Sequence, residues 1–333
     1  MRRNGPAVIG RLPDGPGVYR FRDDRGRVLY IGRATGLRSR VGSYWSDLRD
    51  RHHLTPMVAR VARIEAVSCD SVHEAAWLER NLLETSLPRW NKTPGGQESA
   101  VYIRMDTRPA APGMVAVYRP ETADQVRYFG PYLGGLRVRQ AIAALHRILP
   151  LAYTRARLVG AEKDMACTRG VAADDRAQLV GTLTAILNRD PAAVGWARAE
   201  LEWLRDRAAG ELSFEFAAQI QQEIAAVDWV TCTQRVSTME AVDRTVSGWS
   251  DGMLVQFKVS AGRVSGWSQR PCGPLAASRA LAATPDDWTD FMARNARLAA
   301  SLVQPRRSDQ QGSPVSPAQT ADVQAAAIRS SAG

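Results

Sequence analysis

No run of about 18 apolar residues occurs in the sequence, so no segment reads as a transmembrane helix. The N-terminus, MRRNGPAVIGRLPDGPG, is basic but lacks the continuous apolar core of a secretory signal. Cysteine is sparse: Cys69, Cys167, Cys232 and Cys272 stand far apart, with no CxxC spacing. That argues against a zinc ribbon or a disulfide framework and fits a reduced cytoplasm. The four histidines form neither an HExxH nor a CxxC…HxxxH pattern, and the pair His52-His53 reads as part of a solvated loop. Lysine is almost missing, with only Lys92, Lys163 and Lys258. No internal repeat is visible.

What remains is an arginine-rich chain of 333 residues with 45% apolar content, enough for about two domains with a sizeable core. The net charge is +10, and it is concentrated at the start. Residues 1–60 hold 13 Arg against 5 Asp and no Glu, a net of +8. A one-sided basic segment is the electrostatic footprint of a polyphosphate partner such as nucleic acid. The alternative is a general preference for arginine, since lysine is scarce along the whole chain. Beyond about residue 303 the chain is rich in Gln, Ser, Pro and Ala, which predicts a disordered tail.

Residues 16–32 read as a β-hairpin with a turn at Asp23-Asp24-Arg25-Gly26. A four-residue loop would pair Arg22 with Arg27, place Tyr19 opposite Tyr30, and place Phe21 opposite Val28. Leu37, Val41, Tyr44 and Leu48 give residues 36–49 a helical apolar face, with Arg40 one turn before Tyr44. A helix over 55–63 and a strand over 64–69 follow. Residues 71–86 are the strongest helix, with Ser71 and Glu74 spaced as a capping box and Pro88 beyond its end. Strands are predicted at 100–105 and 114–118, and a turn on Gly130-Pro131. Helices are predicted at 135–149 and 174–188, a helical pair at 192–228, and a second hairpin at 252–270.

Five polar residues near the N-terminus carry chemistry if they meet. Phosphodiester hydrolysis needs an activated water, positive charge for the phosphorane and a stabilised leaving oxygen. A carboxylate such as Glu79 can hold one hard divalent cation, and on the apolar side of a helix it is costly to bury without a partner. Arg40 can give charge-assisted hydrogen bonds to phosphate. A tyrosine close to a metal and an arginine can have a lowered pKa and act as a general base. Each also has a structural reading taken alone: cross-strand packing for Tyr19 and Tyr30, a solvated helix charge for Arg40, pairing with Arg80 or another arginine for Glu79, and a turn position for Asn91.

The order of the motifs resembles the GIY-YIG nuclease domain, in the branch found in bacterial UvrC. "GVY" at 17–19 and "YIGRA" at 30–34 resemble the two half-motifs. "LRSRVGSY" at 37–44 is similar to the arginine helix, and "WLERNLLETSLPRWN" at 77–91 to the metal-binding segment. The resemblance implies an α+β fold: a small GIY-YIG domain with a central antiparallel sheet over residues 1–98. It implies Tyr19, Tyr30, Arg40, Glu79 and Asn91 as catalytic residues, with Tyr30 or Tyr19 as general base and one Mg²⁺ or Mn²⁺ on Glu79. Arg33, Arg38 and Tyr44 are the expected DNA contacts. Arg33 departs from the pattern, since lysine usually stands there; arginine keeps the charge but cannot give up a proton at neutral pH.

The likeness continues past this domain. "RYFGPYLGGLRVRQAIAALHRILPL" at 127–151 is similar to the UvrC segment after the nuclease domain, within a middle region expected over 99–190. Only Cys167 stands where that family has a cysteine-rich stretch, so no iron–sulfur cluster is expected. "LEWLRDRAAGELSFEFAAQIQQEIAAV" at 201–227 is similar to the UVR motif, a helical hairpin at 191–232 that implies a UvrB-like partner reached through Phe214, Glu215, Ala217 and Ala218. Gln221 and Gln222 replace the usual basic–acidic pair. A small α/β remnant is expected over 233–302, then the tail, with no RNase H-type second nuclease domain. The expectation is therefore a cytoplasmic, metal-dependent endonuclease of excision repair making one incision on the 3′ side of a lesion in duplex DNA. A catalytically inactive DNA- or UvrB-binding module is the alternative.

Overall fold

The computed structural model describes residues 7–46, 49–92 and 98–303, so the expected tail lies outside the described residues. Alternating apolar residues make β1 (Gly17–Arg22) and β2 (Val28–Ala34) a hairpin, and β3 (Arg63–Ser68) joins β1 on its other side. All pairs are antiparallel, in the order β2-β1-β3. Strand period 2 divides β1 between two cores. Tyr19 and Phe21 face Leu37, Val41 and Tyr44 of α1 (Leu37–Ser46), while Val18 meets Trp77 and Leu78 of α3 (Val72–Thr85).

The hairpin register differs from the sequence expectation. Tyr19 lies opposite Gly32, and Phe21 opposite Tyr30. The cause is in the turn. Asp23 accepts from the backbone N–H of Arg27 at 2.8 Å and of Arg25 at 3.1 Å, and its own N–H bonds the Arg27 carbonyl at 3.0 Å. Gly26, at φ 76°, closes the resulting three-residue loop. An irregularity between Phe21 and Arg22 adds the rest of the shift. A slip of two residues keeps every side chain on its face, so Tyr19 and Tyr30 still meet, diagonally, with ring centroids 6.2 Å apart.

Both edges of this sheet are closed by asparagines. Asn91 bonds the N–H and C=O of Ile31 on β2 at 3.0 and 2.8 Å. Asn295 does the same to Ser68 on β3, at 2.8 and 3.1 Å. Each amide stands in for a missing neighbouring strand. The helix expected over 55–63 is only α2 (Thr55–Val58), because the chain from Arg63 onward is taken by pairing with β1. At the start of α3, Ser71 Oγ accepts from the Glu74 N–H at 2.9 Å. The Glu74 carboxylate turns instead to the N–H groups of Asp70 and Arg235, so the box is half formed.

A second sheet, ordered β5-β4-β6, contains β4 (Ala100–Asp106), β5 (Met114–Val117) and β6 (Val126–Leu133). The turn expected at Gly130-Pro131 is not made: β6 runs through it, on an edge where proline removes no ladder bond that the sheet needs. Then come α4 (Gly135–Ile148), α5 (Ala161–Arg169), α6 (Arg176–Leu187), α7 (Pro191–Gly210) and α8 (Phe214–Thr231). The α7–α8 hairpin packs on α4, with Arg147 holding buried Glu223 by two bonds of 2.8 and 2.7 Å.

The third sheet, β7 (Arg244–Ser250), β8 (Met253–Ser260) and β9 (Arg263–Pro271), is followed by α9 (Pro274–Leu281) and α10 (Asp286–Val303). Trp77, Phe257, Trp267 and Phe291 share one core with Val18. Between the first and third sheets Arg20 is buried: it pairs with Glu65, donates to the Trp267 carbonyl at 2.7 Å, and lies 3.8 Å from that indole's centroid. Among the described residues no helix is long and apolar enough to cross a membrane.

Candidate active site

A cleft of about 1090 Å³ is lined by Tyr30 and Arg33 from β2, Arg40 and Ser43 from α1, and Glu79 from α3. Each arrives for a local reason. Tyr30 follows Val28 and Leu29 on the second hairpin strand, Arg40 precedes Tyr44 by one turn on α1, and Glu79 follows the buried turn of Ala75 and Ala76 on α3. The consecutive β2 and α1 and the later α3 thus bring a phenol, two guanidiniums and a carboxylate to one opening.

The phenols form a connected set. The Tyr19 and Tyr44 hydroxyls are 2.8 Å apart. The Tyr30 and Tyr44 ring centroids are 6.1 Å apart, and the Arg40 guanidinium lies 5.8 Å from the Tyr44 ring. Phe21 packs on all three rings, with centroids 5.0 to 6.3 Å away. Burial pushes Tyr19 up to about 12, aided by Tyr30, and outweighs Arg40. Burial raises Tyr30 and Tyr44 as well. Tyr30 lines the cleft, whereas Tyr19 and Tyr44 are 0% and 1% exposed. Tyr44, expected as a DNA contact, is buried and is not among the residues that line the cleft.

Gly32 explains why this motif needs a glycine. A Cβ there would stand 2.5 Å from the Tyr19 hydroxyl and 2.8 Å from a ring carbon of Tyr30. Only a residue without a side chain lets the two phenols approach across the strands.

Glu79 pairs with Arg33, not with Arg80, which bonds Glu84 at 2.7 Å. Glu79 Oε1 accepts from the Arg33 backbone N–H at 3.1 Å, and Oε2 lies 3.3 Å from the Arg33 Nε. Burial raises the Glu79 carboxyl above its ordinary range, and Arg33 and Arg40 only partly offset this. The carboxylate is thus short of positive charge. Among the described residues no cluster of three or more His, Cys, Asp or Glu gathers. A hard cation here would rest on one carboxylate and water, a donor set that suits an ion reluctant to shed its hydration shell.

The remaining expected residues divide. Arg38 lies beside the cleft but is tied to the Leu12 carbonyl at 2.8 Å and to Asp14 at 2.9 Å. Asn91 does not line the cleft; its amide fastens the chain after α3 to β2. Phe214 is 65% exposed at the start of α8, with Glu215 and Ala218 also exposed, while Ala217 is buried inside the helical hairpin. Gln221 accepts from Arg205 of α7 at 2.7 Å, and Gln222 lies 3.4 Å from Gln140 of α4. Cys167 is exposed, and all four cysteines are free. Sequence reasoning missed His73, Leu136, Arg137 and Trp229, which line the far wall of the same cleft. They sit on three helices, α3, α4 and α8, whose patterns read only as amphipathic.

The profile of the UvrC-like GIY-YIG domain matches residues 15–92. UvrABC system protein C of Mycolicibacterium paratuberculosis is 33% identical over 274 residues, covering 77% of this chain and 42% of that protein. The corresponding protein of Corynebacterium aurimucosum is 29% identical over 276 residues, covering 77% and 40%. That of Geobacter metallireducens is 36% identical over 146 residues, covering 44% and 24%. The chain therefore spans less than half the length of these relatives. Among solved structures, the GIY-YIG N-terminal endonuclease domain of UvrC from Thermotoga maritima, bound to its catalytic magnesium, is 28% identical with a TM-score of 0.23, over 26% of this chain and 99% of that one. With the half-motifs, the arginine helix and Glu79 all inside the matched span, residues 15–92 of this chain are a UvrC-like GIY-YIG domain, a member of an endonuclease family.

Proposed function

We propose that the chain is a metal-dependent DNA endonuclease of nucleotide excision repair. It hydrolyses one phosphodiester on the 3′ side of a lesion in duplex DNA and works with a UvrB-like partner in the cytoplasm. The observation that carries the reading is the convergence of Tyr30, Arg33, Arg40 and Glu79 on one cleft. Glu79 is the proposed ligand of one Mg²⁺ or Mn²⁺, which supplies positive charge and Lewis acidity toward the phosphate when bound. Arg40 is the proposed phosphate contact. Tyr30 is the preferred general base because it is the phenol on the cleft wall, with the Tyr44 ring centroid 6.1 Å away and Tyr44 in turn bonded to Tyr19. Asn91 acts through β2, which carries Tyr30 and Arg33.

The partner proposal rests on the α7–α8 hairpin, where Phe214 and Leu212 are 65% and 74% exposed. A pull-down with a UvrB protein should lose most binding in Phe214→Ala; undiminished capture would move the partner surface elsewhere.

A second reading has its own support. The Arg33 guanidinium is already beside the Glu79 carboxylate where a cation would sit, which suits a DNA- or UvrB-binding module that no longer cuts. Nicking of a lesion-bearing duplex with Mg²⁺ or Mn²⁺, with and without a UvrB protein, separates the two. Wild-type cutting that disappears in Glu79→Gln supports the nuclease. Equal cutting by both proteins overturns the metal–carboxylate assignment, and no cutting by either under any condition favours the binding module. A cut on the 5′ side would refute the assignment of strand position.

A further inference from the structure

The cleft does not end at the boundary of the GIY-YIG domain. Its far wall is built by Leu136 and Arg137 of α4 and by Trp229 of α8. A second concavity of about 630 Å³ begins on the other side of the same residues. The two share Val72, His73, Arg137 and Trp229, so they form one groove divided by a low ridge. From Glu79 the groove passes over that ridge and runs along the seam between α4 and α8 to Gln140 and Gln222.

The ridge has the chemistry of a nucleic-acid contact. Arg137 is exposed, its guanidinium lies 5.4 Å from the centroid of the Trp229 indole, and among the described residues no carboxylate pairs with it. This contrasts with Arg33, which is matched by Glu79, and with Arg38, which is matched by Asp14. Asp228, also on the groove, is matched by Arg198 of α7. Trp229 is half-buried. Its indole rests on His73 with centroids 4.4 Å apart, and a Cβ on Gly134 would come within 3.1 Å of it, so backbone and ring hold it in place. His73 is 2% exposed; its Nε2 accepts from the Leu133 N–H at 3.2 Å, while its Nδ1 has no partner. A buried polar nitrogen without a partner is rare enough to require a reason. His73 itself is among the residues lining both parts of the groove.

We propose that the DNA strand engaged at Glu79 continues over this ridge. Arg137 holds a backbone phosphate and Trp229 stacks on an adjacent base, so that α4 and α8 complete a substrate site begun by residues 15–92. A guanidinium for the phosphate beside an indole for the base face is the pairing that single strands are held by. The proposal rests on the nuclease cleft as read above, but binding tests it apart from cutting.

The experiment is fluorescence anisotropy of a labelled DNA duplex and of a labelled single strand, titrated with the full chain at several salt concentrations. Arg137→Ala should weaken binding roughly tenfold, as loss of a charged hydrogen bond does. It should also lower the salt-dependence slope by about 0.9 for duplex or about 0.7 for single strand, the value of one phosphate contact. Arg137→Lys should restore the slope. Trp229→Leu should weaken binding by a similar factor with the slope unchanged, since stacking releases no counterion. Arg207→Ala, which pairs with Glu211 away from the groove, should change neither. Where wild type nicks DNA, Arg137→Ala should raise KM and leave kcat. An unchanged affinity and slope in Arg137→Ala overturns the proposal even if Glu79→Gln abolishes cutting. A lost slope supports it even if wild type cuts nothing.

Discussion

Gly32→Ala tests the candidate site more sharply than removal of any of its polar groups. The added methyl would stand 2.5 Å from the Tyr19 hydroxyl, 2.7 Å from the ring carbon bearing it, and 2.8 Å from Tyr30. Non-bonded contacts settle near 3.5 Å, so the phenols must part by about 1 Å. Tyr19 has nowhere to go: it is 0% exposed and packed by Phe21, Tyr30 and Tyr44 at 5.3, 6.2 and 6.0 Å. Overpacking of this kind costs about 1–3 kcal/mol, and losing the 2.8 Å Tyr19–Tyr44 bond adds about 1 kcal/mol. A displacement of about 1 Å at a reacting group lowers rate by about 100-fold. Urea unfolding and DNA nicking would be measured together, with Gly15→Ala as the control, because a Cβ at Gly15 meets nothing within 4 Å. If Gly32→Ala loses less than about 0.5 kcal/mol and nicks like wild type, the reasoning that the glycine exists to bring the phenols together is wrong.

Glu65→Gln should cost about 3–5 kcal/mol in a denaturant melt, because it leaves Arg20, with a side chain 6% exposed, without its carboxylate; a loss below about 1 kcal/mol would show that water reaches the pair. Burial alone would raise the Glu65 pKa, but Arg20 and Arg22 hold it below the ordinary carboxylate range. Its contribution is therefore full above that range and declines as pH falls through the lower folded value. Stability measured from neutral pH downward should fall less steeply in Glu65→Gln than in wild type. Asn295→Ala should cost about 1–3 kcal/mol by exposing unpaired backbone groups of Ser68, with β3 showing the largest gain in hydrogen exchange. Gly181→Ala, in mid-helix with open space around it, should stabilise by about 0.5–1 kcal/mol, and a destabilisation would mean that the α6 surface is covered by something else.

Sequence by itself determined the elements that repeat with a clear period. The hairpin, α1, α3, α4 and the α7–α8 pair were legible because alternation and helical spacing report which face is buried. The candidate site residues Tyr30, Arg40 and Glu79 were legible only through the likeness of their motifs to the GIY-YIG pattern, since each alone reads as packing or a solvated charge. Tertiary structure decided what has no local signal. The Tyr19–Tyr30 register depended on how Asp23 bonds the turn, a matter of one carboxylate reaching two N–H groups. Asn91 reads as a turn residue until β2 supplies the Ile31 backbone for it to clamp, and Asn295 became its counterpart on the opposite edge through a contact across 227 residues. The partner of Glu79 was likewise undecided, since the sequence left Arg80 or an arginine elsewhere open, and the strand supplied Arg33. Arg137 and Trp229 are ordinary members of amphipathic helices in one dimension. Packing of α4 and α8 against the first domain puts them in the cleft, because a long-range contact depends on the summed shape of both surfaces, which no short window of sequence contains.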